Sequence, residues 1–311
     1  MNRKNKWIIY GIGLSLLLGG CMNMDNANGN GVDEQKEPSK EMEKQLVSVQ
    51  NYKGEGYTLP NGEEMDKIAE DNKDEVESAV KSFFKENYKT DIKVHNIVGN
   101  EDGATVFVES IGRLHYYTYA IVPIDIDTKK IHGDKVFSEE GQVEDGIKGG
   151  LYRLIFQEQF DKLDSYFKDL VSEGEVVGKT EESLQNVGGT GYMTPYYFIS
   201  TFNNDESIKP VFDIFVKNPE ADIEELKSAY VEGSFSPENL LINVRLFMED
   251  KDASPSEEIF KRVANDLERI EGIPKGSYSL YLNDNKVYKD SFTGEKENSL
   301  SRGHGNYIVK N

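Results

Sequence analysis

The chain holds a single cysteine in 311 residues, and that cysteine, Cys21, closes an apolar N-terminal segment. One cysteine cannot form an internal disulfide, so whatever folds downstream must be held together by a core. Ahead of it, Arg3, Lys4 and Lys6 precede an apolar run of 12 residues, 7–18, and then Gly19 and Gly20. A membrane-spanning helix needs roughly 20 apolar residues, so this run is too short to span and has the form of a secretory signal. The two small residues let the chain lie extended in a peptidase groove. Leu18, Gly19 and Gly20 therefore mark an expected cleavage site, with Cys21 becoming the new N-terminus.

The run Leu18-Gly19-Gly20-Cys21 resembles the lipobox of bacterial lipoproteins, whose pattern is Leu-small-small-Cys. That resemblance implies a diacylglyceryl thioether on Cys21, cleavage before it and acylation of the freed amine. Each buried methylene contributes about 0.8 kcal/mol, so two or three acyl chains anchor stably where one is marginal. The expected location is the extracytoplasmic face of the cell membrane, with the membrane itself as the first partner.

The formal net charge is −20, and the signal removes three cations and no carboxylate, so the mature chain is more acidic still. Such a surface repels nucleic acid phosphates and anionic headgroups, and no nucleic-acid partner is expected. Apolar residues make up 37% of the chain, enough for globular packing over the length that remains.

Domain organisation follows from composition. Residues 1–20 are the signal, and 21–50 carry the lipidated cysteine and a polar tether with almost no large apolar residue before Leu46 and Val47. Residues 51–146 read as an N-terminal α+β lobe. They comprise a helix over 74–88, with Val76, Val80, Phe83 and Phe84 on one stripe, then strands over 92–98, 104–111, 114–126 and 131–137. Residues 147–311 read as a mixed C-terminal lobe with a long helix over 149–171, a polar boundary over 174–191, and short helices over 208–216 and 223–230. A strand over 240–248 follows, then a helix opened by Ser254-Pro255-Ser256-Glu257, with Ser254 at the cap, and a hairpin over 278–292. The expected class is α+β, helices packed on antiparallel meander sheets, as one body or two lobes.

The chemical motifs fail one by one. Ser78-x-x-Lys81 and Ser165-x-x-Lys168 match the serine–lysine spacing of penicillin-binding proteins without the partner motifs. The run from Gly174 to Thr180 has three residues between its glycines where a phosphate loop needs four. Asp125-Ile126-Asp127 lacks the later ligands of a calcium loop, and His95, His115, His132 and His304 show no zinc spacing. No cofactor or metal is expected. What remains is aromatic: Tyr117, Tyr119, Tyr192, Tyr196 and Tyr197 are candidate contacts for a sugar, peptide or cell-wall ligand.

Beyond the lipobox, the stretch YKGEGYTLPNGEEM at 52–65 and the overall layout resemble an uncharacterised lipoprotein family of low-GC Gram-positive bacteria with no assigned activity. The function expected is a non-enzymatic binding or interaction module at the cell surface, facing an envelope protein, peptide or wall ligand. An envelope hydrolase working with paired carboxylates and a structural surface protein are the alternatives.

Overall fold

Residues that alternate between apolar and polar, or repeat every three to four positions, form the first layer of the protein. The computed structural model describes residues 45–202 and 204–311, so the signal, Cys21 and most of the expected tether lie outside the described residues. Strand β1 is Leu46–Ser48, followed by helices α1, Glu63–Asp71, and α2, Lys73–Tyr88. Four antiparallel strands come next in simple meander order: β2, Asp91–Asn100; β3, Gly103–Ile111; β4, Tyr117–Asp125; and β5, Lys130–Ile131. The α2 stripe of Val76, Val80 and Phe84 is buried in the same core as Ile92, Val106, Val108, Ala120 and Val122. Those side chains come from one face of the sheet, and the opposite face is left for other elements.

Three expectations for this half change. Residues 46–48, placed in the tether, form β1, and Val49 and Tyr52 just beyond are fully buried. The strand expected over 131–137 stops at Ile131, where Gly133 and Asp134 enter a 3-10 turn, and Phe137 makes only an isolated bridge to Ile121. The strand expected from 114 starts at Tyr117, because the Ser110 hydroxyl donates to Leu114 O at 2.8 Å and accepts from Tyr116 N at 2.9 Å.

Helices α3, Gln142–Ile155, and α4, Gln157–Ser172, replace the single expected helix. The chain leaves helical geometry at Phe156 (φ −108°, ψ 39°), whose ring packs edge-on against Tyr230 at 4.9 Å. The segment 174–191, expected as a boundary, contains strand β6, Val176–Val177, and helix α5, Glu181–Val187, capped by the Thr180 side chain. Gly191, at the end of that segment, exchanges backbone hydrogen bonds of 2.9 Å with Tyr117.

The remaining elements are β7, Tyr197–Thr201; α6, Lys209–Lys217; α7, Ile223–Ala229; β8, Leu240–Met248; α8, Glu257–Arg269; β9, Gly276–Asn283; β10, Lys286–Tyr288; β11, Leu300–Arg302; and β12, Ile308–Lys310. In the second sheet, β8 and β9 form the centre, with β6 and β7 both on β8 and β11 and β12 both on β9. The class is α+β, as expected, with antiparallel pairing everywhere except β8 with β9. Those two run parallel because α8 carries the chain across between them. The hairpin expected over 278–292 does not form: β10 turns away from β9 and pairs with β1, Val47 lying opposite Val287. Helix α8 starts later than expected, with Ser256 rather than Ser254 accepting from Ile259 N.

The described residues make one compact unit, and the main core runs without a break from Met65 through Ile147 to Ile308. A second cluster, including Val49, Tyr52, Tyr117, Leu184, Phe247 and Phe292, joins β1 and β10 to the outer face of the meander. None of the helices among the described residues is long and apolar enough to cross a membrane.

Candidate functional site

Strand alternation decides where the tyrosines go. Tyr116 points into the main core, while Tyr117 and Tyr119, 3% and 7% exposed, lie on the other sheet face. Tyr119 packs against Phe107 at 5.9 Å in a small cluster of its own. Tyr197 is buried on β7 and its hydroxyl donates to Asp164 at 2.7 Å, whereas Tyr192 and Tyr196 are half-buried. Tyr196 stacks on Phe167 at 5.9 Å. Of the five candidates, Tyr192 and Tyr197 lie 6.4 Å apart between rings, and Tyr117 and Tyr192 flank one residue, His115, at 4.9 and 5.9 Å.

Around that histidine the fold assembles a cluster invisible in the sequence. A bulge in β2 between Val94 and Asn96 leaves His95 without a partner in the register, and its ring reaches Glu109 of β3, the residue opposite Lys93. The Glu109 carboxylate then accepts from His95 Nε2 at 2.7 Å and from His115 Nε2 at 2.8 Å. His95 is almost fully enclosed, while the His115 side chain is 40% exposed. Burial pushes the Glu109 carboxyl up, but the hydrogen bonds from His115 and His95 outweigh it and hold the group below the usual glutamate range.

A carboxyl with a lowered folded pKa stabilises the fold above its unfolded value, and that contribution is lost as pH falls through the folded value. Glu109→Gln is therefore expected to cost on the order of 1–2 kcal/mol at pH 7. The cost should shrink toward zero in strong acid, as thermal melts across that range will report.

Beside His115, Arg153 donates to the Tyr192 hydroxyl at 3.1 Å and pairs with Asp161 at 2.5 Å and Asp164 at 3.5 Å. These two carboxylates are the kind of pair a hydrolase would need, but the guanidinium and the Tyr197 hydroxyl already engage them. Among the described residues no group of three or more His, Cys, Asp or Glu side chains is placed to hold a metal ion. The Ser78/Lys81 pair lies in a broad depression of about 600 Å³ on the outer face of α2, where Lys81 is held by Glu77 at 3.0 Å.

A cleft of about 460 Å³ lies where the end of α2, the β3–β4 connection and the end of α6 meet. Its floor is apolar, made by the buried Leu114, Tyr116 and Phe215, with Ile111 57% exposed at its rim. Lys85, Lys89, Arg113 and Lys217 line it against only Asp91 and Glu220. Local geometry puts them there. Lys89 takes the left-handed conformation (φ 55°) that ends α2, and Gly112 (φ +125°) makes the turn that projects Arg113. Lys85 pairs with Asp91 at 2.9 Å and Lys89 donates to Glu86 O at 2.9 Å. Arg113 reaches only Pro219 O at 3.5 Å, and neither Arg113 nor Lys217 has an ion pair among the described residues.

The fold and this cleft define a mixed α+β protein with a basic, ligand-sized recess set in an acidic chain. More particularly, the chain belongs to the DUF1672 family of proteins of unknown function, whose model matches residues 39–310. It is similar to the crystal structure of a DUF1672 family protein from Staphylococcus aureus subsp. aureus Mu50, with a TM-score of 0.68 and 16% identity. The match covers 86% of this chain and 98% of that one, and at this identity it shows the fold alone. Staphylococcus aureus is a low-GC Gram-positive bacterium, the group whose uncharacterised family the sequence resembles. No curated protein matches the chain.

Proposed function

We propose that this protein is a lipid-anchored, extracytoplasmic binding module, held to the cell membrane through Cys21, that takes an anionic ligand in the cleft at the end of α2. The location rests on the signal and lipobox pattern over residues 1–21. The binding role rests on one observation: four cations meet two carboxylates in a recess of a chain whose net charge is −20. An acidic surface repels a bulk polyanion, while a local positive recess over an apolar floor selects a small or extended ligand that presents a carboxylate or phosphate.

Isothermal titration with inorganic phosphate, a glycerol phosphate oligomer and an acidic peptide tests this reading. Binding is expected to weaken as salt rises, because the recess is open to solvent. The double charge reversal Arg113→Glu/Lys217→Glu should weaken it about tenfold or more, given up to roughly 1 kcal/mol per exposed charge pair lost or inverted. Unchanged affinity in that variant, or no binding of any of the three probes, overturns the reading.

A further inference from the structure

The cleft at the end of α2 keeps its hydrogen-bonding groups apart from its apolar ones. Two hydroxyls lie at the floor, those of Thr90 and Tyr116, and both are engaged within the fold. The Thr90 hydroxyl donates to Tyr88 O at 3.1 Å and accepts from the Tyr116 hydroxyl at 3.4 Å. The floor therefore offers a ligand apolar contact, from Leu114, Phe215 and the Tyr116 ring, rather than free donors. Exposed Ile111 continues that surface out to the rim, and the methylene stems of Lys85 and Lys89 widen it.

The charge sits at the mouth and is smaller than the number of cations suggests. Lys85, Lys89, Arg113 and Lys217 face Asp91 and Glu220, which leaves two positive charges. Helices α2 and α6 both end here, and the carboxyl end of a helix carries about half a negative charge. The recess thus holds a net positive charge of about one, which suits one anionic group better than two.

Two cations are placed to hold that group. Lys85 is paired with Asp91 and Lys89 is turned back onto Glu86 O, whereas Arg113 and Lys217 have no ion pair among the described residues. Arg113 reaches across to Pro219 O, two residues beyond Lys217, at 3.5 Å. So long a contact yields readily to a carboxylate, whose two oxygens match the guanidinium fork.

We infer, on the basis of the basic-cleft reading above, that the cleft takes a small apolar monocarboxylate. Its carboxylate is held between Arg113 and Lys217, and its hydrocarbon part lies over the floor toward Ile111. A second anionic group would have to rest on that floor with no donor to receive it, which is costly. A sugar or polyol would leave hydroxyls unpaired there for the same reason. Bare anions bind the same two cations more weakly, since they leave the floor wet.

Calorimetric titration of the full chain with acetate, hexanoate and adipate tests the assignment. Hexanoate is expected to bind at least about tenfold more tightly than acetate, because its added methylenes cover the floor. Adipate has the same chain length with a second carboxylate in place of the methyl, and should bind several times more weakly than hexanoate despite its greater charge. Ile111→Ser should weaken hexanoate severalfold and leave acetate unchanged, and because Ile111 is exposed the core stays intact. Arg113→Glu/Lys217→Glu should weaken acetate and hexanoate alike by about tenfold or more. The monocarboxylate assignment falls, and the basic cleft stands, if that reversal weakens binding but hexanoate binds no better than acetate, adipate binds at least as tightly as hexanoate, or Ile111→Ser changes nothing. If the charge reversal leaves hexanoate unchanged, both readings fall. If none of the three binds, the monocarboxylate falls, and the titrations with phosphate, glycerol phosphate oligomer and acidic peptide decide the cleft.

Discussion

Replacing Cys21 with serine, behind an ordinary cleavable export signal in place of residues 1–20, is expected to move the protein from the membrane fraction to the medium. The effect should be nearly complete, because the proposed location rests on that anchor. Two acyl chains of about 15 methylenes each would contribute on the order of 20 kcal/mol at about 0.8 kcal/mol per methylene, far beyond what surface contacts supply. The described residues offer no spanning helix to substitute for it. With a net charge of −20 the surface opposes adsorption to anionic headgroups. Fractionation and mass spectrometry of the N-terminal peptide from the native host decide the matter: a start at Met1 with a free thiol would remove the anchor from the proposal.

Gly99→Val should be the most damaging single change within the fold. Gly99 on β2 and Gly62 at the start of α1 touch backbone to backbone. A Cβ on Gly99 would lie 2.2 Å from Gly62 O and 2.4 Å from Asp66 N, and one on Gly62 would lie 2.0 Å from Gly99 O. Asp66 closes the contact by accepting the Gly99 N–H. Because the obstructing atoms are backbone, no side chain can rotate away, and α1 must lift off the sheet. A loss of roughly 3 kcal/mol or more is expected, at the upper end of overpacking effects. For a body of this size that corresponds to a fall in Tm of about 10 °C. Gly233→Ala is the control: beyond its chain neighbours nothing lies within 4 Å of where the added methyl would sit, and the melting temperature should barely move.

The elements legible in the sequence share one property, that their signal lies within a dozen neighbouring residues. Helix α2 shows its stripe of Val76, Val80 and Phe84, and α8 shows Ile259, Val263 and Leu267, all buried as periodicity requires. The meander of β2, β3 and β4 is legible because turn residues separate runs with clear alternation. Even the opposed faces of Tyr116 and Tyr117 follow from the two-residue period.

What failed was pairing and convergence. Nothing near residue 287 announces that β10 will leave β9 for a partner at the other end of the folded chain, yet Val47 and Val287 lie side by side. The parallel placement of β8 and β9 depends on α8 packing back on the sheet, and the break at Phe156 depends on Tyr230. The functional candidates suffer most. The cleft draws Lys89, Arg113 and Lys217 from three separate segments, each of which reads alone as an ordinary solvated lysine or arginine. His95 and His115 look unrelated until a bulge and a turn bring both to Glu109.

By itself, then, the order of residues determined helices α2 and α8, the meander of β2, β3 and β4, the acidic balance and the single cysteine at the head of the expected mature chain, since these depend on local periodicity and composition. Only the tertiary structure decided which charges meet, because long-range pairing is set by the packing of whole elements, and a cluster of side chains from distant segments leaves no local trace.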